Sequence, residues 1–109
     1  MNGIELLEEK CDEIIEKVVK SSKILTSDMG EFCNDAFHTN PMVVFYDGNC
    51  TSTGLSYVEQ IDERESEEKA WMWWVEGNDT EYHQFASLEE AVNDWTRNMG
   101  RIDEMMKQD

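Results

Sequence analysis

Positive charge is what this chain has least of: nine Lys and Arg stand against 25 Asp and Glu in 109 residues, a formal net charge of −16. A domain of this size needs a net charge of only about 2–8 for solubility, and the excess costs stability through self-repulsion. It also makes contact with nucleic acid or an anionic membrane unfavourable, so neither is expected as a direct partner. A basic protein surface is. Cysteine is sparse, and Cys11, Cys33 and Cys50 are odd in number and widely spaced, which excludes a disulfide framework and reads as reduced thiols. No run approaches the roughly 18–20 apolar residues that cross a bilayer, and residues 1–20 lack the basic and apolar regions of a secretory leader. The expected location is the cytoplasm. Proline occurs once, at Pro41, where it pushes its predecessor out of helical geometry and marks a boundary.

Recognisable chemistry is equally thin. His38 and His83 stand alone, with no C-x-x-C, H-E-x-x-H or H-x-x-x-H, so no metal and no cofactor is expected. A calcium loop beginning at Asp47 fails where glycine is required, at Ser52, and again where Val58 replaces the bidentate glutamate. No glycine-rich run leads into a lysine at a helix entry, so a phosphate-binding loop is absent. Cys33 or Cys50 with His38 or His83 would be the nucleophile pair of a thiol enzyme. Surrounding carboxylates raise a thiol pKa rather than lower it, so no catalytic residue is nominated and a non-enzymatic role is expected.

What is present is periodic. The length fits one domain spanning residues 1–109. Ile4, Leu7, Cys11, Ile14, Val18 and Leu25 predict a helix over 4–25, acidic in its first half and basic in its second as the helix dipole favours. Glu13–Lys17 and Glu16–Lys20 are the expected i,i+4 ion pairs. Met29, Phe32, Cys33, Ala36 and Phe37, behind a Ser27 or Asp28 cap, predict a short second helix ending before Pro41. The period then changes: Met42–Tyr46, Gly54–Ile61 and Lys69–Glu76 read as strands, with a fourth, shorter one over Glu81–Phe85. Ser87-Leu88-Glu89-Glu90 is a capping box that opens a helix running to Gly100, and residues 101–109 add a helical turn or fray. The expectation is an α+β fold, with helices on one face of a three- to four-stranded antiparallel meander.

The strand 69-KAWMWWVEG-77 puts Trp71, Trp73 and Val75 on one face and Met72 and Trp74 on the other. Helices that cover one face of a small sheet leave one of these sets less covered. It serves there as a sheet cover or as an anchor for a protein partner. Stacking on bases is excluded, because stacking platforms work inside positively charged grooves.

Next to this strand, Glu59, Asp62, Glu63, Glu65, Glu67 and Glu68 face Arg64 alone, and Glu76, Asp79 and Glu81 continue the acidic surface at the strand's far end. These acids, with Trp71 and Trp73, are the expected partner-binding residues. The run reads either as a solubilising loop beside a hydrophobic strand or as a row of carboxylates that imitates phosphates. In size, charge, helix–meander–helix order and this acidic loop, the chain resembles small acidic inhibitors encoded by phages and mobile elements, most of all anti-CRISPR proteins acting against Cas9-type effectors. The resemblance implies a bacterial host cytoplasm and an inhibitor seated in the basic DNA- or PAM-reading channel of a nucleic-acid-binding enzyme. The alternative is a general interaction module, such as an immunity protein, adaptor or regulatory subunit, that uses a sheet face bearing Trp71 and Trp73.

Overall fold

The computed structural model describes residues 2–34, 40–47, 51–77 and 79–107. Helix α1 spans Gly3–Ser21; the Asn2 side chain caps it by accepting from the Glu5 amide at 2.8 Å, and its stripe of Leu7, Cys11, Ile14 and Val18 is buried. The helix stops four residues short of Leu25. Ser22 Oγ accepts the backbone amides of Ile24 and Leu25 and donates to Asp103 at 2.6 Å, while the Lys23 amide donates to the same carboxylate. These local and tertiary bonds satisfy backbone groups that another helical turn would have used. Lys20 pairs with Glu16 at 3.0 Å as expected, whereas Glu13 takes Lys10, at 3.5 Å.

The segment expected as a second helix is mostly something else. A single 3-10 turn at Ser27–Met29 leads into strand β1, Gly30–Cys33, which pairs antiparallel with β2, Met42–Tyr46, in the register Phe32↔Val43. The spacing of Met29, Phe32 and Cys33 suits a helix, but pairing with β2 outweighs it and packs the partly buried Phe32 against the core. Ala36 and Phe37 lie outside the described residues.

Strand β3 is Ser52–Tyr57, β4 is Trp71–Glu76 and β5 is Thr80–Phe85; the sheet order is β1-β2-β3-β4-β5, antiparallel throughout. The meander thus has five strands where three or four were expected. β3 ends before Ile61 because Pro41 ends its partner: the Tyr57 amide donates to the Pro41 carbonyl at 3.1 Å, and β2 offers no pairing beyond it. Ile61 lies in the connection rather than on the face of Leu55 and Tyr57.

Helix α2, Leu88–Arg97, opens where expected, with the Glu90 amide donating to Ser87 Oγ at 3.1 Å, and it ends at Arg97 with Asn98 as its cap rather than running to Gly100. Helix α3, Met99–Lys107, carries residues 101–107 on in regular structure and buries Met99, Ile102, Asp103 and Met106. The helices and one face of the sheet share a single core containing Val43, Phe45, Leu55, Trp71, Trp73, Val75 and Trp95. Phe45 meets Trp95 edge-on at 6.1 Å, and Tyr57 meets Trp71 at 5.0 Å. Among the described residues no helix is long and apolar enough to cross a membrane.

Candidate partner-binding surface

Cross-strand register sorts the tryptophans. Trp71, Trp73 and Val75 face the helices, and Trp71 and Trp73 are 6% and 0% exposed. The Trp73 indole N–H donates to Asp94 of α2 at 2.9 Å, and its ring stacks on His83 at 4.6 Å. The expectation of an open partner surface at Trp71 and Trp73 is therefore corrected: the helices that pack on the sheet cover that face. Met72 and Trp74 lie on the outer face, where Trp74 is 8% exposed. Its indole crosses β3 at Gly54, where a Cβ would stand 2.4 Å from the ring and 2.8 Å from the Val43 carbonyl oxygen. Only glycine leaves room for this crossing. Trp74 is thus a cover for the sheet.

The acidic connection between β3 and β4 is a built structure. After Val58, whose amide still reaches the Ala70 carbonyl at 2.7 Å, the chain forms a 3-10 turn at Ile61–Glu63. Arg64 points inward: Nε donates to the Val58 carbonyl at 2.9 Å, Nη1 to the Glu67 carbonyl at 2.7 Å, and the guanidinium lies 5.7 Å from the centre of the Tyr57 ring. From β5, the Gln84 amide accepts from the Glu65 N–H at 2.7 Å and donates to the Glu63 carbonyl at 3.1 Å. The loop is tied from inside by Arg64 and from the neighbouring strand by Gln84.

Those ties use main-chain groups, which leaves the carboxylates outside. Glu59, Asp62, Glu63, Glu65, Glu67 and Glu68 are all exposed, and Lys69 reaches Glu65 at 3.3 Å. Ile61 projects among them at 58% exposure, a large apolar side chain in an acidic setting. Gln84 and Arg64 carry no sequence signal for their roles. The exposure of Ile61 was hidden by its fit to the strand period.

At the far end of β4, Glu76 and Asp79 are exposed, with Glu76 paired in register with Thr80. Five residue steps along β4 put this end about 17 Å from the Trp71 end, a length that carries about ten phosphate charges on duplex DNA. Glu81 does not join them. It faces the helix layer, where Arg101 of α3 forms a charge-assisted bond with it and His83 lies 3.1 Å away. The Arg101 bond is the larger cause, with His83 assisting, that holds the Glu81 carboxyl below the usual carboxylate range. Its inclusion in the acidic surface is corrected.

The thiol–imidazole reading fails on distance. Cys33 is on β1 and His83 on β5, opposite edges of the sheet about 19 Å apart at ordinary strand spacing, and on opposite faces. Cys50 and His38 lie outside the described residues. Among the described residues no three His, Cys, Asp or Glu side chains are placed to hold a metal. A groove of about 300 Å³ between α1 and α2 has an apolar floor of Leu6, Ile14, Leu88 and Val92, but Lys10 and Lys17 are balanced by Glu13 and Glu89 at its rim. It selects no charge of ligand. No protein-family model matches the chain, and no curated protein or solved structure matches it.

Proposed function

We propose that this protein is a non-enzymatic acidic inhibitor that occupies the basic nucleic-acid-binding groove of a partner protein, with carboxylates in place of phosphates. The observation that carries this reading is the construction of the acidic loop. A loop that serves only to keep a hydrophobic strand soluble needs exposed charge and nothing more. Here Arg64 and Gln84 hold the backbone of 58–67 in one shape while its carboxylates project outward. Preorganised charge costs little further ordering when a partner binds, which is what imitation of a stiff polyanion requires.

The partner in this reading is a nucleic-acid enzyme of the bacterial cytoplasm, and a Cas9-type effector fits, since its DNA channel is lined with positive charge. The decisive experiment combines two arms. The protein is used as bait in a bacterial lysate at low salt and eluted with rising salt, and it is tested as a competitor of target DNA for a Cas9-type effector. A basic nucleic-acid enzyme released only at high salt is the expected outcome. Replacing Glu63, Glu65, Glu67 and Glu68 together by glutamine should abolish its capture and any competition while the far-ultraviolet dichroism stays unchanged. Undiminished binding by that variant would reduce the acidic loop to a solubility device.

A further inference from the structure

We infer that the outer face of the β4–β5 hairpin, centred on Tyr82, is a docking surface for arginine side chains of the protein partner. The inference rests on the acidic-inhibitor reading and adds to it the apolar half of the contact.

Tyr82 is 56% exposed and sits opposite Trp74 in the sheet register. Two residues further along β5, about 7 Å away, Gln84 holds Glu63 and Glu65 by their main chain. Two residues the other way, Thr80 pairs with Glu76. Tyr82 therefore lies on β5 between the segment that carries Glu63 and Glu65 and the end of β4 that carries Glu76, on a strand whose neighbour is pinned by Trp74 lying on Gly54. A second tyrosine repeats the arrangement. Tyr46 is 46% exposed on the same face, about 16 Å away across three strand spacings and two residues along the strand. Its register runs through Ser52 to Glu76, and burial first, then the charges of Cys33, Glu31 and Glu76, pushes its phenol pKa up.

An aromatic face flanked by carboxylates recognises a cation that can stack on the ring and donate hydrogen bonds from its edge. Guanidinium does this better than ammonium, because it is planar, more weakly hydrated and has donors in a fork that matches a carboxylate. The molecule already uses the same chemistry internally, where Arg64 lies over Tyr57. Nucleic acid is disfavoured by the carboxylates. A second copy of the chain is disfavoured too, since each copy brings a net charge of −16 and a twofold contact would set like surfaces together.

The test uses the full chain, labelled with nitrogen-15 and titrated at low salt with nona-arginine and, separately, nona-lysine. Amide shifts should concentrate at 80–84 and 63–65, with nona-arginine binding several-fold more tightly. Tyr82→Ala should weaken nona-arginine about three- to fivefold, the scale of an exposed cation–π contact, and weaken nona-lysine less. Tyr82→Phe, which keeps the ring, should bind as the wild type does. Unchanged nona-arginine affinity in Tyr82→Ala, or shifts confined to the acidic face of α1, would overturn the inference. The quadruple glutamine variant separates the two proposals. If it loses binding while Tyr82→Ala does not, the inhibitor reading stands and this surface falls. If Tyr82→Ala loses arginine preference while the quadruple variant binds normally, the surface stands and the carboxylate reading falls.

Discussion

Trp95 donates its indole N–H to the hydroxyl of Thr53 at 3.0 Å, across the interface between α2 and the sheet. Thr53 passes its own proton to the Trp74 carbonyl at 2.7 Å, and both side chains are fully buried. One hydroxyl thus satisfies a buried indole and ties it to β4. Thr53→Val keeps the shape and strands the indole donor, so it should cost about 2 kcal/mol in urea unfolding. A loss below about 0.5 kcal/mol would mean that the indole finds another acceptor.

Gly54, next along β3, is the floor on which Trp74 lies. Gly54→Ala places a methyl against both the indole and the Val43 carbonyl. Overpacking of this kind costs about 1–3 kcal/mol. Shortening the ring in a Gly54→Ala, Trp74→Leu double variant should fail to restore stability fully, since the backbone oxygen remains in the way. Full recovery in thermal unfolding would place the conflict entirely at the side chain.

Gln84→Ala removes both bonds from β5 to the acidic loop. The Glu65 amide should then exchange with solvent at least tenfold faster while the core amides of β4 change little. Because Gln84 is partly exposed, the global cost should be about 1 kcal/mol. Equal acceleration throughout the sheet would contradict a local clamp.

Glu81 provides a prediction in pH. Its folded pKa is depressed, so its contribution to stability is complete above the unfolded carboxylate value and declines as pH falls through that value towards the folded one. Solvent reaches the pair with Arg101, so the contribution is about 0.5 kcal/mol. Falling pH also relieves the mutual repulsion of the other acids, so the readout is the difference between wild type and Glu81→Gln. That difference should favour the wild type at pH 7 and shrink steadily as pH falls below the ordinary carboxylate range. A difference that persists unchanged at pH 3 would show that packing, rather than charge, distinguishes the two.

Much of this fold is legible in short stretches of chain. Met42–Tyr46, the alternation through Trp71–Glu76 and the Ser87 capping box each carry their information locally, because side-chain period and cap chemistry act over a few residues. The acidic loop is legible as charge. The shape it is held in is not, since Gln84 reaches it from 19 and 21 residues away in the chain.

Sequence alone therefore determined the charge, the element types over most of the chain and the division of the tryptophans into two sets. Tertiary structure decided what depends on distant partners. Asp103, about 80 residues on, takes part in ending α1 at Ser22. Pairing with β2 made 30–33 a strand against its helical spacing. Packing of α2 and α3 put Trp71 and Trp73 in the core and turned Glu81 towards Arg101. The reason is common to all three: an alternating or periodic pattern specifies that two faces differ, and only the elements that come to lie against them determine which face is buried.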